Sequence, residues 1–254
     1  METVNLLAAL LAIVIGYLIG SISFARLVAR RFAPEQDISK IEIDVPDSEE
    51  RFESDAISAT SVRLHLGNRY GCLVGILDIL KAVIPALAFK LLQPDAPYYL
   101  LAAGMAAVGH NWPIYYRFKG GRGISPIMGG MLVVDWLGVV VTNLLGLASD
   151  LVIKNTLISS GVWLLLMVPW IWFGPYGWPE RFYAVAMCIV YAVAMLPEWR
   201  EILRLNRTGE LEKLQNAREL RVASRLDGGV AQQASVPDVI SELVSRLRRN
   251  DSGP

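Results

Sequence analysis

The feature that most constrains the fold of this chain is an apolar sequence that continues almost unbroken over Ile124–Phe173. About 20 apolar residues are enough for one helix to cross the hydrocarbon core of a membrane. The run is too long for one such helix, and polar breaks at Asp135, Asp150 and Lys154 divide it into three parts. The predicted segments are a short, half-depth helix over 124–134, another segment over 137–152 and a full span over 156–173.

Four further stretches have the same apolar character and predict spans over 4–25, 70–92, 98–116 and 182–196. Hydrophobic residues make up 54% of the chain and charged residues 19%, and the mean hydropathy is +0.41. This composition is typical of an integral membrane protein and not of one or two soluble domains. The 24 basic and 24 acidic residues balance, so the net charge predicts no nucleic-acid partner.

Basic residues follow the first, third and last of these spans. The clusters are Arg26, Arg30 and Arg31, then Arg117, Lys119 and Arg122, and finally a group that begins with Arg200. Because cytoplasmic loops carry an excess of Lys and Arg, an odd number of crossings is needed to place all three clusters inside. We therefore predict an all-α integral membrane protein of about seven transmembrane helices, some of them short. Its N-terminus lies outside, and a soluble C-terminal tail lies in the cytoplasm.

Two regions outside the spans carry much of the charge. A polytopic membrane domain over 1–198 contains an acidic insertion at about 34–55, interpreted as a solvated, mobile loop. Its carboxylates lack the glycine and the spacing of a calcium-binding EF-hand loop. A cytoplasmic tail over 199–254 follows, in which 237–249 has the periodicity of a short amphipathic helix.

The stretch Gly109–Gly123 joins two apolar segments and contains a histidine, three cations and several glycines. Glycine lets the backbone approach a ligand closely, and successive free N–H groups can form a concavity that binds anions. Lys119 and Arg122 add positive charge, and the guanidinium fork of Arg122 matches a phosphate group. The stretch predicts either a phosphate-binding loop or a tight connection whose cations only follow the charge distribution of cytoplasmic loops.

Three other polar features have both structural and functional interpretations. Asp78 and Lys81 lie on one face of a predicted span, where a structural ion pair is favoured over a catalytic role. Residues 54–67 combine small side chains, hydroxyls and Arg63, which makes them a second possible anion-binding loop. His110, near the end of a span, is either a packing and hydrogen-bonding residue or part of a site.

The order of these motifs resembles that of the PlsY family, bacterial membrane glycerol-3-phosphate acyltransferases that use an acyl-phosphate donor. The family pattern Gly-His-x-x-Pro-x-x-x-x-Phe-Lys-Gly-Gly-Lys-Gly is similar to residues 109–123, with Arg122 in place of the last lysine. Residues 16–24 resemble Gly-Tyr-Leu-x-Gly-Ser-Ile-Pro-Phe, and residues 78–81 resemble Asp-Leu-Leu-Lys. The resemblance covers residues 16–210 and implies that the active-site loops are cytoplasmic.

Two other motifs of the family differ more in this chain. The family's first loop reads Gly-Ser-Gly-Asn-Ile-Gly-Ala-Thr-Asn-Val-x-Arg-x-x-Gly. Here its asparagines and leading glycines are replaced, Asp55 adds an anion, and Arg63 lies one residue early. In the last motif, His-Arg-Glu-Asn-Ile-x-Arg-Leu, Glu198 replaces the histidine and Arg200 replaces the glutamate.

The resemblance implies transfer of an acyl group from acyl-phosphate to glycerol 3-phosphate, which forms lysophosphatidic acid for phospholipid biosynthesis in the cell membrane. The implied partners are these substrates and membrane lipid, and no cofactor, metal or nucleophilic residue is implied because acyl-phosphate is already activated. His110, as a residue that positions the loop or as a base, and Arg63 are the implied catalytic residues. The implied substrate-binding residues are Ser58, Thr60, Ser61, Lys119, Gly120, Gly121, Arg122, Gly123 and Arg200.

Two alternatives to this function stay open from the sequence. The changed motifs are expected of a paralogue that keeps the fold and a phosphate- or lipid-binding site but has lost acyl transfer. A small transporter or scaffold unrelated to the family is the other alternative.

Overall fold

The computed structural model of the protein describes residues 5–46, 48, 50–153, 156–211 and 213. Those residues contain ten α-helices, a two-stranded sheet and a 3-10 turn over Ile114–Tyr116. In chain order the elements are α1 (Leu6–Gly20), α2 (Phe24–Phe32), β1 (Ile41–Asp44), β2 (Arg51–Ser54), α3 (Ala59–Leu66), α4 (Asn68–Leu92), α5 (Tyr98–Asn111), α6 (Ile124–Val134), α7 (Trp136–Ile153), α8 (Thr156–Phe173), α9 (Trp178–Ala194) and α10 (Leu196–Arg207).

The all-α membrane character predicted from the apolar runs is confirmed. Two helical stretches, Leu6–Phe32 and Asn68–Leu92, are long and apolar enough to cross a membrane. A third is added if α9 and α10 together form one broken span. Shorter apolar helices occupy 124–134, 136–149 and 161–173, so the count of seven crossings stays a prediction.

The described chain forms two compact units. The first contains the residues up to Ile41 and Glu53–Trp199, and the second contains Glu42–Phe52 and the residues from Arg200 onward. The apolar helices, with Asp78, Lys81, His110 and Arg122, belong to the first unit. The amphipathic helix predicted over 237–249 lies outside the described residues.

The core of the first unit lies between α5, α6, α8 and α9. Ile127 and Met131 on α6 pack with Met167 and Ile171 on α8, and all four side chains are fully buried. Many leucines and isoleucines on α1, α4 and α7 are exposed. Exposed apolar surface of this kind suits contact with lipid, where an unpaired charged side chain would be costly.

Helices α1 and α5 pack through their backbones. A Cβ added at Gly16 would overlap the backbone of Ala102, and one added at Gly20 would overlap that of Ala106. Gly109 has the same close contact with the α1 backbone. Helices in lipid associate through such small residues because apolar side chains gain little from leaving lipid tails. This contact places Ser21, just after α1, beside the end of α5, and Ser21 Oγ accepts from Ile114 N at 3.4 Å.

The acidic insertion was predicted to be a mobile loop, but part of it forms a two-stranded hairpin of β1 and β2. Ile41 and Ile43 alternate with Glu42 and Asp44, which is the period of a strand. From β2, Arg51 pairs with Glu42 at 3.2 Å and with Asp44 at 2.9 Å. A cross-strand cation therefore neutralises two carboxylates whose repulsion would otherwise oppose the pairing.

Candidate functional site

Three ionisable side chains from α4 and α5 form a buried cluster. Lys81 Nζ lies 2.9 Å from Asp78 Oδ1 and 2.8 Å from His110 Nδ1. It also donates a hydrogen bond to the carbonyl oxygen of Ile22 at 2.9 Å. The three residues are only 2–8% exposed, and a buried charge is stable only when it is paired and hydrogen-bonded. The predicted ion pair within α4 is present, and it extends to His110 on α5.

The ring of His110 has close neighbours at both nitrogens. Nδ1 lies 2.8 Å from the ammonium group of Lys81 and 3.5 Å from Asp78 Oδ1. Nε2 lies against Gly121, where an added Cβ would overlap it. The carbonyl of His110 also accepts a hydrogen bond from Gly121 N at 3.1 Å. His110 therefore contacts the glycine loop through both its ring and its backbone.

The glycine loop, Gly120–Gly123, follows a turn with uncommon dihedral angles. Arg117 and Phe118 have φ of 53° and 60°, a left-handed conformation that residues other than glycine rarely adopt. Phe118 N donates to the carbonyl of Pro113 at 3.0 Å, which stabilises the turn. A side chain at Gly120 would overlap the ring of Pro113 and a backbone carbonyl, so the turn brings backbone against backbone.

The glycine loop ends at the N-terminus of α6. Gly123 is the N-cap residue with φ of 79°, and no side chain in the described part of the chain caps the helix. The first helical hydrogen bond runs from Ile127 N to Gly123 O at 2.9 Å, so the amides of Ile124 and Ser125 have no partner within the helix. The side-chain amide of Asn111 lies against Gly123, 4% exposed, and neither its oxygen nor its nitrogen has a partner among the described residues. Open amides at the positive end of a helix dipole suit an anion.

The segment before α3 joins the glycine loop through its backbone. Ile57 N donates to Gly120 O at 3.1 Å. Ser58 and Ser61 form a capping box at the start of α3, in which Ser61 Oγ accepts from Ser58 N at 3.0 Å and donates to Ser58 O at 2.8 Å. Two of the three hydroxyls predicted to bind phosphate therefore have a local structural role. The third, on Thr60, is exposed.

Arg122 is engaged by two carboxylates. Its Nη2 lies 3.0 Å from Asp55 Oδ1 and contacts Glu198 Oε1 directly. Ser54 Oγ donates to the same Glu198 oxygen at 2.6 Å. The segment before α3, the glycine loop and the start of α10 thus converge on one guanidinium, which the sequence predicted as a phosphate ligand.

The other predicted cations lie on exposed surfaces. Neither Lys119 nor Arg63 has a side-chain partner in the part of the chain that the structure describes. The backbone at Lys119 is nevertheless positioned, because its carbonyl accepts from Arg26 at 2.8 Å and that guanidinium stacks 4.4 Å from the ring centroid of Tyr116. Arg200 is exposed on α10 in the second unit, and its role in binding stays a prediction.

Sequence reasoning assigned no role to two residues of this site. Asn111 directly follows His110 and ends α5, so its place beside the glycine loop was a signal available in the motif. Glu198 was noted only as a replacement for a family histidine. Its contact with Arg122 depends on how the helices pack, and no local pattern in the sequence reports it.

Comparison with known proteins reveals close similarity over most of the chain. Residues 10–208 match a protein-family model described as glycerol-3-phosphate acyltransferase. A glycerol-3-phosphate acyltransferase of Halalkalibacterium halodurans is 32% identical over 218 residues, which are 82% of this chain and 96% of that protein. A protein of the same name from Shouchella clausii is 31% identical over 216 residues, 80% of this chain and 93% of that one.

Two crystal structures of PlsY (YgiH), an integral membrane glycerol 3-phosphate acyltransferase, have a similar fold. The glycerol 3-phosphate form gives a TM-score of 0.64 at 26% identity, and the lysophosphatidic acid form gives 0.65 at 25%. Each comparison covers 80% of this chain and 93% of the other. The buried cluster, the glycine loop and Glu198 all lie inside the range that the family model matches.

Proposed function

The chain belongs to the glycerol-3-phosphate acyltransferase family and is a membrane enzyme of that activity, and we propose that acyl transfer takes place at the Gly120–Gly123 loop. The donor in this proposal is an acyl-phosphate, and the product is lysophosphatidic acid for phospholipid biosynthesis. The family resemblance inferred from the motifs is confirmed by the comparisons.

One observation carries the location of the site. Among the described residues, no partner is present for the amides of Ile124 and Ser125 in the first turn of α6 or for the buried side-chain amide of Asn111 beside them. A phosphate oxygen would accept from these donors and would also gain from the dipole of the helix. We assign this place to a substrate phosphate, with Gly120, Gly121 and Gly123 allowing its close approach.

Two exposed cations complete the proposal for substrate binding. Lys119 directly precedes Gly120, and Arg63 lies on α3, whose leading segment is hydrogen-bonded to the glycine loop. Thr60 adds an exposed hydroxyl, while Ser58 and Ser61 order the start of α3. Two substrates with one phosphate each need this excess of positive charge, because their mutual repulsion opposes binding side by side.

Catalysis of this reaction depends mainly on positioning the two substrates. The primary hydroxyl oxygen of glycerol 3-phosphate attacks the acyl carbon, the bond from that carbon to the phosphate oxygen breaks, and the leaving phosphate takes up the proton that the hydroxyl loses. The acyl donor is already activated, so orientation and charge stabilisation supply the rate enhancement. In this proposal His110 acts as a positioning residue, since its ring and its carbonyl both contact Gly121.

The proposal is tested with purified protein, labelled glycerol 3-phosphate and either an acyl-phosphate or an acyl-CoA. We expect labelled lysophosphatidic acid with the acyl-phosphate only. Lys119→Ala should lower kcat/KM for glycerol 3-phosphate about tenfold or more, because it removes a charge-assisted contact. Lys40→Ala, which removes another exposed lysine, is the matched control and should leave kcat/KM unchanged.

Three outcomes separate the alternatives. Product from acyl-CoA alone would contradict the proposed donor. No product from either donor, in a preparation with a cooperative unfolding transition, would favour a paralogue that binds phosphate without acyl transfer. An unchanged kcat/KM in Lys119→Ala would remove that residue from the site.

We also propose that the membrane domain over 1–198 has its N-terminus outside and that the tail over 199–254 is cytoplasmic. The basic groups that follow the first, third and last predicted spans support this orientation. A C-terminal fusion to green fluorescent protein should fluoresce in bacterial cells, and a fusion to alkaline phosphatase should be inactive. The reverse pattern would contradict the orientation.

A further inference from the structure

The two carboxylates that hold Arg122 differ greatly in exposure. The side chain of Glu198 is 4% exposed, whereas that of Asp55 is 71% exposed. Glu198 is also anchored by Ser54, which donates to it at 2.6 Å. Asp55 has no partner other than Arg122 in the described part of the chain. One carboxylate is therefore part of the interior, and the other is a solvated group that can leave.

The guanidinium of Arg122 has a further donor on the same edge. Nε and Nη2 share one edge of the planar fork, and that edge matches two oxygens of a single anion. Nη2 contacts both carboxylates, but Nε is buried and has no partner among the described residues. Asp55 thus pairs with only one of the two donor nitrogens on this edge. A phosphate in its place would accept from Nε as well as Nη2.

We propose that Asp55 is an internal competitor for the substrate phosphate. Its carboxylate pairs with Arg122 when no phosphate is bound, a phosphate monoester displaces it, and Glu198 keeps the guanidinium in position throughout. This inference rests on the proposed function, because it concerns the same glycine loop.

The energetics of the two ion pairs fit this exchange. An exposed ion pair is worth little, so a dianionic phosphate can replace Asp55 at small cost. Separating Arg122 from the buried Glu198 would leave an uncompensated charge in the interior, so that pair persists. Asp55 consequently determines how strongly an anion must bind in order to enter, and it favours dianionic phosphates over singly charged anions.

Asp55→Asn tests the inference directly, since it removes the charge and keeps the size of an exposed side chain outside the helices. We expect KM for glycerol 3-phosphate and the inhibition constant of inorganic phosphate both to fall about two- to fivefold, the range of one exposed ion pair. Asp37→Asn is the matched control, because Asp37 is also exposed and its carboxylate accepts within its own turn, from Ser39 N at 2.8 Å. That variant should change neither constant.

A double-mutant cycle separates competition at Arg122 from a general effect of charge. In an Arg122→Ala background, Asp55→Asn should have no further effect on phosphate inhibition. Unchanged constants in Asp55→Asn, in an enzyme that turns over, would overturn this inference and leave the proposed function intact. If the wild type formed no product, the proposed function would fail. Calorimetry with inorganic phosphate would then decide the inference, because equal affinity in wild type and Asp55→Asn overturns it.

Discussion

The buried cluster of Lys81 and the cluster of Arg122 contain the same kind of contact in different surroundings. In each, a cation lies within 3.0 Å of a carboxylate. The side-chain partners of Lys81, Asp78 and His110, are both buried, whereas Arg122 has one buried partner, Glu198, and one exposed partner, Asp55. Ion pairs of nearly equal length can therefore differ in how readily a ligand replaces the carboxylate. The exposure of each partner, not the distance, separates an architectural ion pair from one that a ligand can replace.

The two clusters are connected through His110 and the glycine loop. Lys81 contacts Nδ1 of His110, and His110 contacts Gly121 through its ring. Arg122 directly follows Gly121 in the chain. The buried cluster therefore supports the glycine loop, which carries the ion pair of Arg122 with Asp55. Rigid support of this kind reduces the ordering that a substrate would otherwise have to bring about on binding.

Lys81→Met is expected to have the largest effect. It leaves Asp78 charged and buried without its partner, which should destabilise the protein by about 3–5 kcal/mol. Thermal unfolding in detergent measures the loss. Adding Asp78→Asn to this variant should recover part of the stability, because it removes the uncompensated charge. An unfolding temperature equal to that of wild type would show that the buried cluster is not architectural.

Gly121→Ala tests the contact between the buried cluster and the glycine loop. The added methyl group would overlap Nε2 of His110 and displace the loop, which should lower kcat/KM about 100-fold, as expected for a misplacement near 1 Å. Gly75→Ala is the matched control, because its Cβ would lie 3.8 Å from Ala59 Cβ, in ordinary contact. Equal activity in the two variants would mean that the loop position does not depend on His110.

Tyr176→Phe removes a hydrogen bond between two half-buried side chains and should have the smallest effect. Asp135 Oδ2 accepts from Tyr176 OH and from Trp170 Nε1, each at 2.6 Å. Losing this hydrogen bond to a partly exposed carboxylate should cost about 1.5 kcal/mol of unfolding free energy at pH 7, the low end for a charged acceptor. Tyr115→Phe, at an exposed tyrosine with no hydrogen-bond partner in the described residues, is the control and should cost nothing measurable.

The same tyrosine gives a pH dependence with a definite sign. Burial, with the hydrogen bond to Asp135, raises the pKa of Tyr176 to about 12. A phenol whose pKa is raised by folding stabilises the protein fully below its ordinary pKa of about 10, and this contribution is lost as the pH rises towards the folded value. Wild type should therefore lose more stability than Tyr176→Phe between these two pH values. Parallel pH profiles would contradict the role of the hydrogen bond.

Helix positions could be predicted where an apolar run ends at a strong break. The segments predicted over 124–134 and 156–173 coincide with α6 and α8, and Asp135 adopts an extended conformation where α6 ends. Helix α2 was not predicted, because its arginines were interpreted as a polar loop after the first span. The signal was present, since Ser23 is an N-cap residue that accepts from Arg26 N at 3.5 Å. In the hairpin, high charge similarly obscured the alternation of Ile41 and Ile43 with carboxylates.

The site could be predicted only where it is local in the sequence. The glycine loop and its cations were recognised because they lie within a few residues of one another. The contacts of His110 with Lys81 and of Arg122 with Glu198 join distant segments, and no periodicity specifies such partners. Asp55, Glu198 and Arg122 were each noted as a difference from a family motif in a separate part of the chain. The structure brings the three differences into one cluster.

The backbone contact between α1 and α5 divides α1 into positions with opposite tolerance to change. At Gly16 and Gly20 not even one methyl group fits against α5, so most replacements there should be rejected in a library of variants selected for growth. Leu6 and Leu10 are exposed, and other apolar residues should serve equally well at these positions. Such a library should therefore show an intolerant stripe with a spacing of four residues, which points along α1 towards Ser21 and the end of α5.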